Sequence, residues 1–180
     1  AGSTRARHHT VMTDRVDDAS LLHRAEALAA ALRVHGRVMA AAESCTGGWI
    51  AKVCTDLAGS SDWFDRGLVT YSNQAKTEEL GVRAATLERF GAVSEMVAAE
   101  MARGARAAAH ADYAVAVSGI AGPGGGSPDK PVGTVCFGFV GPDDEPETET
   151  VRFDGDRDAV RRRTVAHALE GLLERVAPGP

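Results

Sequence analysis

The chain lacks most of the features that would give it a quick assignment. Its three cysteines, Cys45, Cys54 and Cys136, are an odd number without a C-x-x-C pair, which argues against both a disulfide framework and a zinc knuckle and suits a reducing compartment. No apolar run approaches the length of a membrane span, and Arg5, Arg7, His8 and His9 stand where a signal peptide would place an apolar core. These absences predict a cytoplasmic protein with no membrane partner. An excess of positive charge is also lacking: the net charge is −5, so nothing provides the broad basic surface that nucleic acid binding usually needs and DNA is not expected as a partner. There is no H-E-x-x-H and no carboxylate cluster around a histidine, so no metal is implied. The six histidines fall in the leader or on helical patterns near their ends, leaving no histidine on a turn to act as a general base.

Two phosphate-binding patterns fail on spacing. The glycine-rich stretch from Ser118 to Ser127 has Ser127 at the sixth position counted from Gly122 and is followed by a strand pattern, whereas a dinucleotide fingerprint needs glycine there and a helix after it. Gly119 and Gly124 have P-loop separation, but Gly125 occupies the lysine position. What remains is a loop whose main-chain N–H groups can approach an anion or a flat ligand closely, or a plain hairpin-like excursion.

What is present fits one globular domain: 180 residues, 44% hydrophobic and 25% charged. Residues 1–18 are polar and aperiodic and read as a flexible leader or expression remnant; 19–177 read as the domain. Leu21, Leu22, Ala25, Leu28 and Leu32 recur at helical intervals up to His35-Gly36. Val38 to Ala41 has strand character, Thr46 to about Leu57 helical spacing, and Leu68 to Tyr71 reads as a second strand after a loop holding Trp63 and Phe64. Helical stretches follow from Ser72 and from Ala85, then an alanine-rich helix from Ser94 to about His110. That helix either packs on a sheet or offers a homo-oligomer contact. Tyr113–Val117, Val132–Val140 and Thr148–Phe153 read as strands, the last two an antiparallel pair, and Arg157 to about Val176 as a closing amphipathic helix. The alternation predicts a single three-layer α/β/α domain of the α/β class with a mixed, mostly parallel sheet.

The stretch Ala42-Glu43-Ser44-Cys45-Thr46-Gly47-Gly48 joins the first strand to a helix through a tight turn. Such a turn sets a hydroxyl beside main-chain N–H groups that no helical carbonyl satisfies. Ser44 or Thr46 equally suits a helix N-cap. A serine nucleophile without histidine needs another base, and Lys76, five residues beyond Tyr71, is available if its pKa falls by several units from about 10.4. An isolated helical lysine is otherwise a solvated surface residue. Cys45 is a rival nucleophile near a helix N-terminus, and Arg66, Arg157 and Arg161 are candidate phosphate ligands.

The 42–48 run, with Asp56-Leu57-Ala58-Gly59-Ser60-Ser61, Gly67 through Lys76, Gly91-Ala92-Val93-Ser94-Glu95, Ser118-Gly119-Ile120-Ala121-Gly122-Pro123, Lys130 through Val135 and Gly155-Asp156-Arg157, closely resembles the CinA C-terminal domain family, whose stand-alone members are nicotinamide-nucleotide amidohydrolases. The resemblance covers about Leu21 to Glu174. It implies hydrolysis of the carboxamide of nicotinamide mononucleotide to nicotinate mononucleotide and ammonia, with no metal or other cofactor and a small nucleotide as partner. By matching motif positions it implies Ser44 as nucleophile, Lys76 as base and Tyr71 as its partner. Main-chain N–H groups from Cys45 to Gly47 would hold the oxyanion. Thr46, Gly47, Gly119, Gly122, Gly124 and Arg157 are then the substrate-binding candidates. The alternative is a non-catalytic module, binding a nucleotide or a competence-associated partner in the same pocket.

Overall fold

The computed structural model describes residues 16–176; most of the expected leader lies outside that range. The chain runs α1 (Asp18–Val34), β1 (Met39–Glu43), α2 (Trp49–Thr55), a short 3-10 turn (Ser60–Asp62), β2 (Phe64–Val69), α3 (Asn73–Leu80), α4 (Ala84–Phe90), α5 (Glu95–Ala109), β3 (Tyr113–Gly119), β4 (Thr134–Val140), β5 (Glu147–Arg152) and α6 (Arg157–Val176). The five strands form one sheet in the order β2-β1-β3-β4-β5. β1 pairs in parallel with β2 and β3, while β4 is antiparallel to both β3 and β5. Four strands therefore point the same way and β4 alone is reversed, as the mixed, mostly parallel reading expects. Because β3 and β4 are antiparallel neighbours, the glycine-rich stretch is the connection of a long hairpin.

Side-chain alternation along the strands builds two cores, one on each face. Met39 and Ala41 of β1, with Val115 and Val117 of β3, face a layer made by α1, α2 and α6. Ala40, Ala42, Ala114 and Ala116 face α5 and its neighbours. The second face is built of small residues, and the alanine-rich helix opposite them comes in close. Ala98, Met101, Ala102 and Ala105 are fully buried there, so the apolar side of α5 packs on the sheet within the chain.

Gly138 on β4 marks the tightest approach, since a Cβ at that position would lie 2.3 Å from the Ala98 carbonyl oxygen. Strand and helix backbones would have to separate. Gly138→Ala is expected to destabilise the fold by about 1–3 kcal/mol through overpacking. For a chain of this size that lowers Tm by roughly 2–4 °C per kcal/mol, measurable by a thermal melt.

Element ends differ from the sequence expectation, most of all in α2 and β2. α2 begins at Trp49 rather than Thr46, because Gly47 (φ 60°) and Gly48 (φ 102°) adopt left-handed conformations that a continuing helix excludes. β2 begins at Phe64 and ends at Val69, earlier than Leu68–Tyr71. It is an edge strand whose middle residues Asp65, Arg66 and Gly67 are exposed, so it carries no apolar alternation to read.

Candidate active site

Ser44 follows the last residue of β1 and remains tied to the sheet, its N–H donating to the Val117 carbonyl (3.1 Å). Strand alternation turns Glu43 toward α2 and Ser44 toward the opposite layer, where α3 carries Lys76. The Lys76 ammonium nitrogen lies 3.0 Å from Ser44 Oγ, 2.9 Å from the Thr70 carbonyl and 3.1 Å from the Tyr71 carbonyl. Lys76 is only 1% exposed, which overturns the solvated-surface alternative. No carboxylate is among these partners, and burial holds the amine below the ordinary lysine value by penalising its charged form. Two of the three partners are carbonyls, which can only accept. Once deprotonated, the amine gives its two N–H groups to those carbonyls and its lone pair faces the serine hydroxyl.

The N-cap alternative for Ser44 and Thr46 is overturned as well. Gly48 precedes α2 and provides no side-chain cap. The free N–H groups at the start of α2 are instead met by Glu43, a fully buried carboxylate accepting from Ile50 N (2.8 Å), Ala51 N (3.1 Å) and the Thr46 hydroxyl (2.6 Å). A negative group at a helix N-terminus also complements the helix dipole. Glu43 thus fastens the serine turn to α2 from below.

Arg161 of α6 fastens it from the side. Its Nε donates to the Cys45 carbonyl (2.9 Å) and its Nη2 to the Thr46 carbonyl (3.2 Å). Since each amide is planar and trans, holding the Cys45 carbonyl also fixes the direction of the Thr46 N–H. The Gly47 N–H is committed to the Ser44 carbonyl (3.1 Å), so it is unavailable to an oxyanion, contrary to the sequence expectation. The N–H groups of Cys45 and Thr46 have no backbone acceptor among the described residues.

A cavity of about 200 Å³ opens over this corner, lined by Ser44, Lys76, Tyr71, Asn73, Ser118 and Arg157 among others. Tyr71 is 64% exposed at the cavity's edge and reaches Lys76 through its carbonyl. Gly119 lines the cavity, and Gly122 lies just beyond it, its carbonyl accepting from Arg157 Nη1 (2.7 Å). Gly124 stands in open space, and the Thr46 hydroxyl is occupied by Glu43. Of the three arginines, Arg157 alone lines the cavity. Arg66 pairs with Asp65 on the exposed edge strand, and Arg161 is bound to main-chain carbonyls. The Cys45 thiol is buried and pushed up to about 12, chiefly by desolvation, so it stays protonated near neutral pH.

Sequence reasoning assigned no role to Glu43, Asn73 or Ser118, and offered Arg161 as a phosphate ligand rather than as a clamp on the serine turn. An acid ending an otherwise apolar strand just before a helix was a visible signal for Glu43. The others come to the site only through long-range packing.

Fold and site together define an α/β/α domain with a buried serine–lysine pair at the end of an interior strand. Residues 22–176 match the family model described as CinA C-terminal domain. The chain is 57% identical over 157 residues to the nicotinamide-nucleotide amidohydrolase PncC of Escherichia coli strain K12, covering 87% of this chain and 95% of that protein. To the protein of the same name from Pseudomonas putida it is 54% identical over 143 residues, 79% of this chain and 89% of that one. Among solved structures, it resembles the competence damage-inducible protein A (ComA) from Klebsiella pneumoniae subsp. pneumoniae MGH 78578, with a TM-score of 0.85 at 40% identity, over 89% of this chain and 99% of that chain. The chain belongs to the CinA C-terminal domain family.

Proposed function

We propose that the protein hydrolyses the carboxamide of nicotinamide mononucleotide to nicotinate mononucleotide and ammonia, a reaction of pyridine nucleotide recycling, with Ser44 as nucleophile and Lys76 as its base. The observation that carries the chemistry is the 3.0 Å contact between Ser44 Oγ and a desolvated Lys76 amine. The substrate reading comes from the name borne by relatives more than half identical to this chain over most of both lengths. Neutral Lys76 takes the Ser44 proton as Oγ attacks the carboxamide carbon. The N–H groups of Cys45 and Thr46 are the donors available to the tetrahedral oxyanion. Lys76 then passes its proton to the departing nitrogen, which leaves as ammonia, and an ester joins Ser44 to the nicotinoyl group. Water, deprotonated by Lys76, cleaves that ester and restores the serine.

The 200 Å³ cavity is smaller than the ~300–1,000 Å³ of whole-ligand pockets. It takes the pyridine carboxamide, and the ribose phosphate rests at the mouth by Arg157. Tyr71, exposed there and without a phenolic contact to Lys76, fits a wall for the substrate better than a proton relay. Cys45→Ala, which keeps the main-chain N–H, is expected to retain at least about half the native rate, because a thiol this buried supplies almost no thiolate. A large loss in a folded variant would point to a thiol mechanism. The direct test is incubation with nicotinamide mononucleotide. Ammonia and nicotinate mononucleotide should appear in equal amounts, and binding without release of either would end the enzymatic reading.

A further inference from the structure

Ser118 is a second buried serine in the same cavity, and the reaction as derived leaves it without a role. Its position follows from strand register. Glu43 of β1 is the in-register partner of Val117 of β3, so Ser44 and Ser118 are the next residues along two parallel neighbours. Such strands lie about 4.8 Å apart, and alternation turns both side chains to the same face. The Ser118 hydroxyl donates to the Ala92 carbonyl at 2.8 Å. A carbonyl can only accept, and a serine hydroxyl has one proton. What Ser118 offers the cavity is therefore acceptor capacity alone.

A carboxamide presents a carbonyl oxygen, which accepts, and an NH2 group, which only donates. The oxygen belongs with the main-chain N–H groups of the serine turn. The NH2 group then requires an acceptor on another wall. We propose that Ser118 Oγ accepts an N–H of the substrate carboxamide and is a specificity-determining residue, selecting the amide over its acid product; this assignment rests on the amidase reading above. The product carboxylate has no N–H to give, so Ser118 Oγ faces an oxygen of like polarity and favours release. The Ala92 carbonyl matters because it keeps the serine proton out of the cavity. Without that contact the hydroxyl would turn to donate, and an acid would suit it as well as an amide.

The test compares two substrates that differ only in the leaving group, nicotinamide mononucleotide and the methyl ester of nicotinate mononucleotide. Both need Ser44, Lys76 and the oxyanion donors, but the ester has no N–H. Ser118→Ala is expected to lower kcat/KM for the amide by about 10- to 100-fold, the effect of leaving a substrate donor unpaired in a buried site. On the ester it should change kcat/KM by less than about threefold, which also reports an intact fold. Ser118→Thr, which keeps the hydroxyl, should restore most of the amide rate. Equal losses on the two substrates, or no loss on the amide, would overturn the assignment while leaving the amidase reading in place. If the native chain releases no ammonia from the amide, both fall together.

Discussion

Ser44→Ala is expected to lower kcat on nicotinamide mononucleotide by on the order of 10⁴-fold or more, as removal of a covalent nucleophile does where other groups act with it as a unit. The loss should fall on kcat with little change in KM. The cavity walls contributed by Tyr71, Asn73, Ser118 and Arg157 are untouched, and in the proposed reaction Oγ engages the substrate carbon only during the chemical step. Stability should change little, because Ser44 is held by its N–H to Val117 and its neighbour Glu43 anchors the turn to α2. Lys76 would keep its two carbonyl partners. Ammonia release, measured beside a thermal melt, separates a dead enzyme from an unfolded one.

Lys76→Met, which keeps the length of the side chain and removes the amine, should cost about 10³-fold in kcat, within the usual range for a general acid–base group. The same residue fixes the pH dependence. With Lys76 as the proposed base, activity requires the neutral amine, so kcat/KM for the native chain should rise with pH through the Lys76 pKa and then level off. Burial puts that midpoint below the ordinary lysine value of about 10.4. The sign for stability is the same. Between the lowered folded value and the ordinary unfolded one, the unfolded chain binds the extra proton, so the native chain gains stability as pH rises across that window. Lys76→Met should lose both the activity limb and this stability slope. A native kcat/KM profile falling through the same region would assign the base elsewhere.

Much of the fold was legible because its signals are local. The alanine-rich run of α5, the glycine ending α4, and the apolar strands on either side of the glycine loop each carry their own periodicity or punctuation. β2 was misplaced because it is an exposed edge strand, and the start of α2 because two left-handed glycines delay it. In the site, Ser44 and Lys76 could be paired from motif positions, yet nothing local distinguishes a buried lysine from a solvated one. That difference arises from the packing of α3 against α5, with the Lys76 side chain reaching the Ser44 turn. The same holds for Arg161, which reaches the serine turn from the closing helix, and for Ser118, whose relation to Ser44 is a matter of strand register. Gly124 was drawn in by the glycine density of a loop that turns out to be a hairpin, only the near end of which borders the cavity.

The covalent role of Ser44 is tested most directly by partition. Turnover of nicotinamide mononucleotide and of the methyl ester of nicotinate mononucleotide is followed in the presence of hydroxylamine, and the ratio of hydroxamate to acid is measured for each. If both pass through one acyl group on Ser44, the leaving group has departed before the ratio is decided, and the two ratios are equal. Ratios that differ between amide and ester, or an amide that is not turned over at all, would contradict the account.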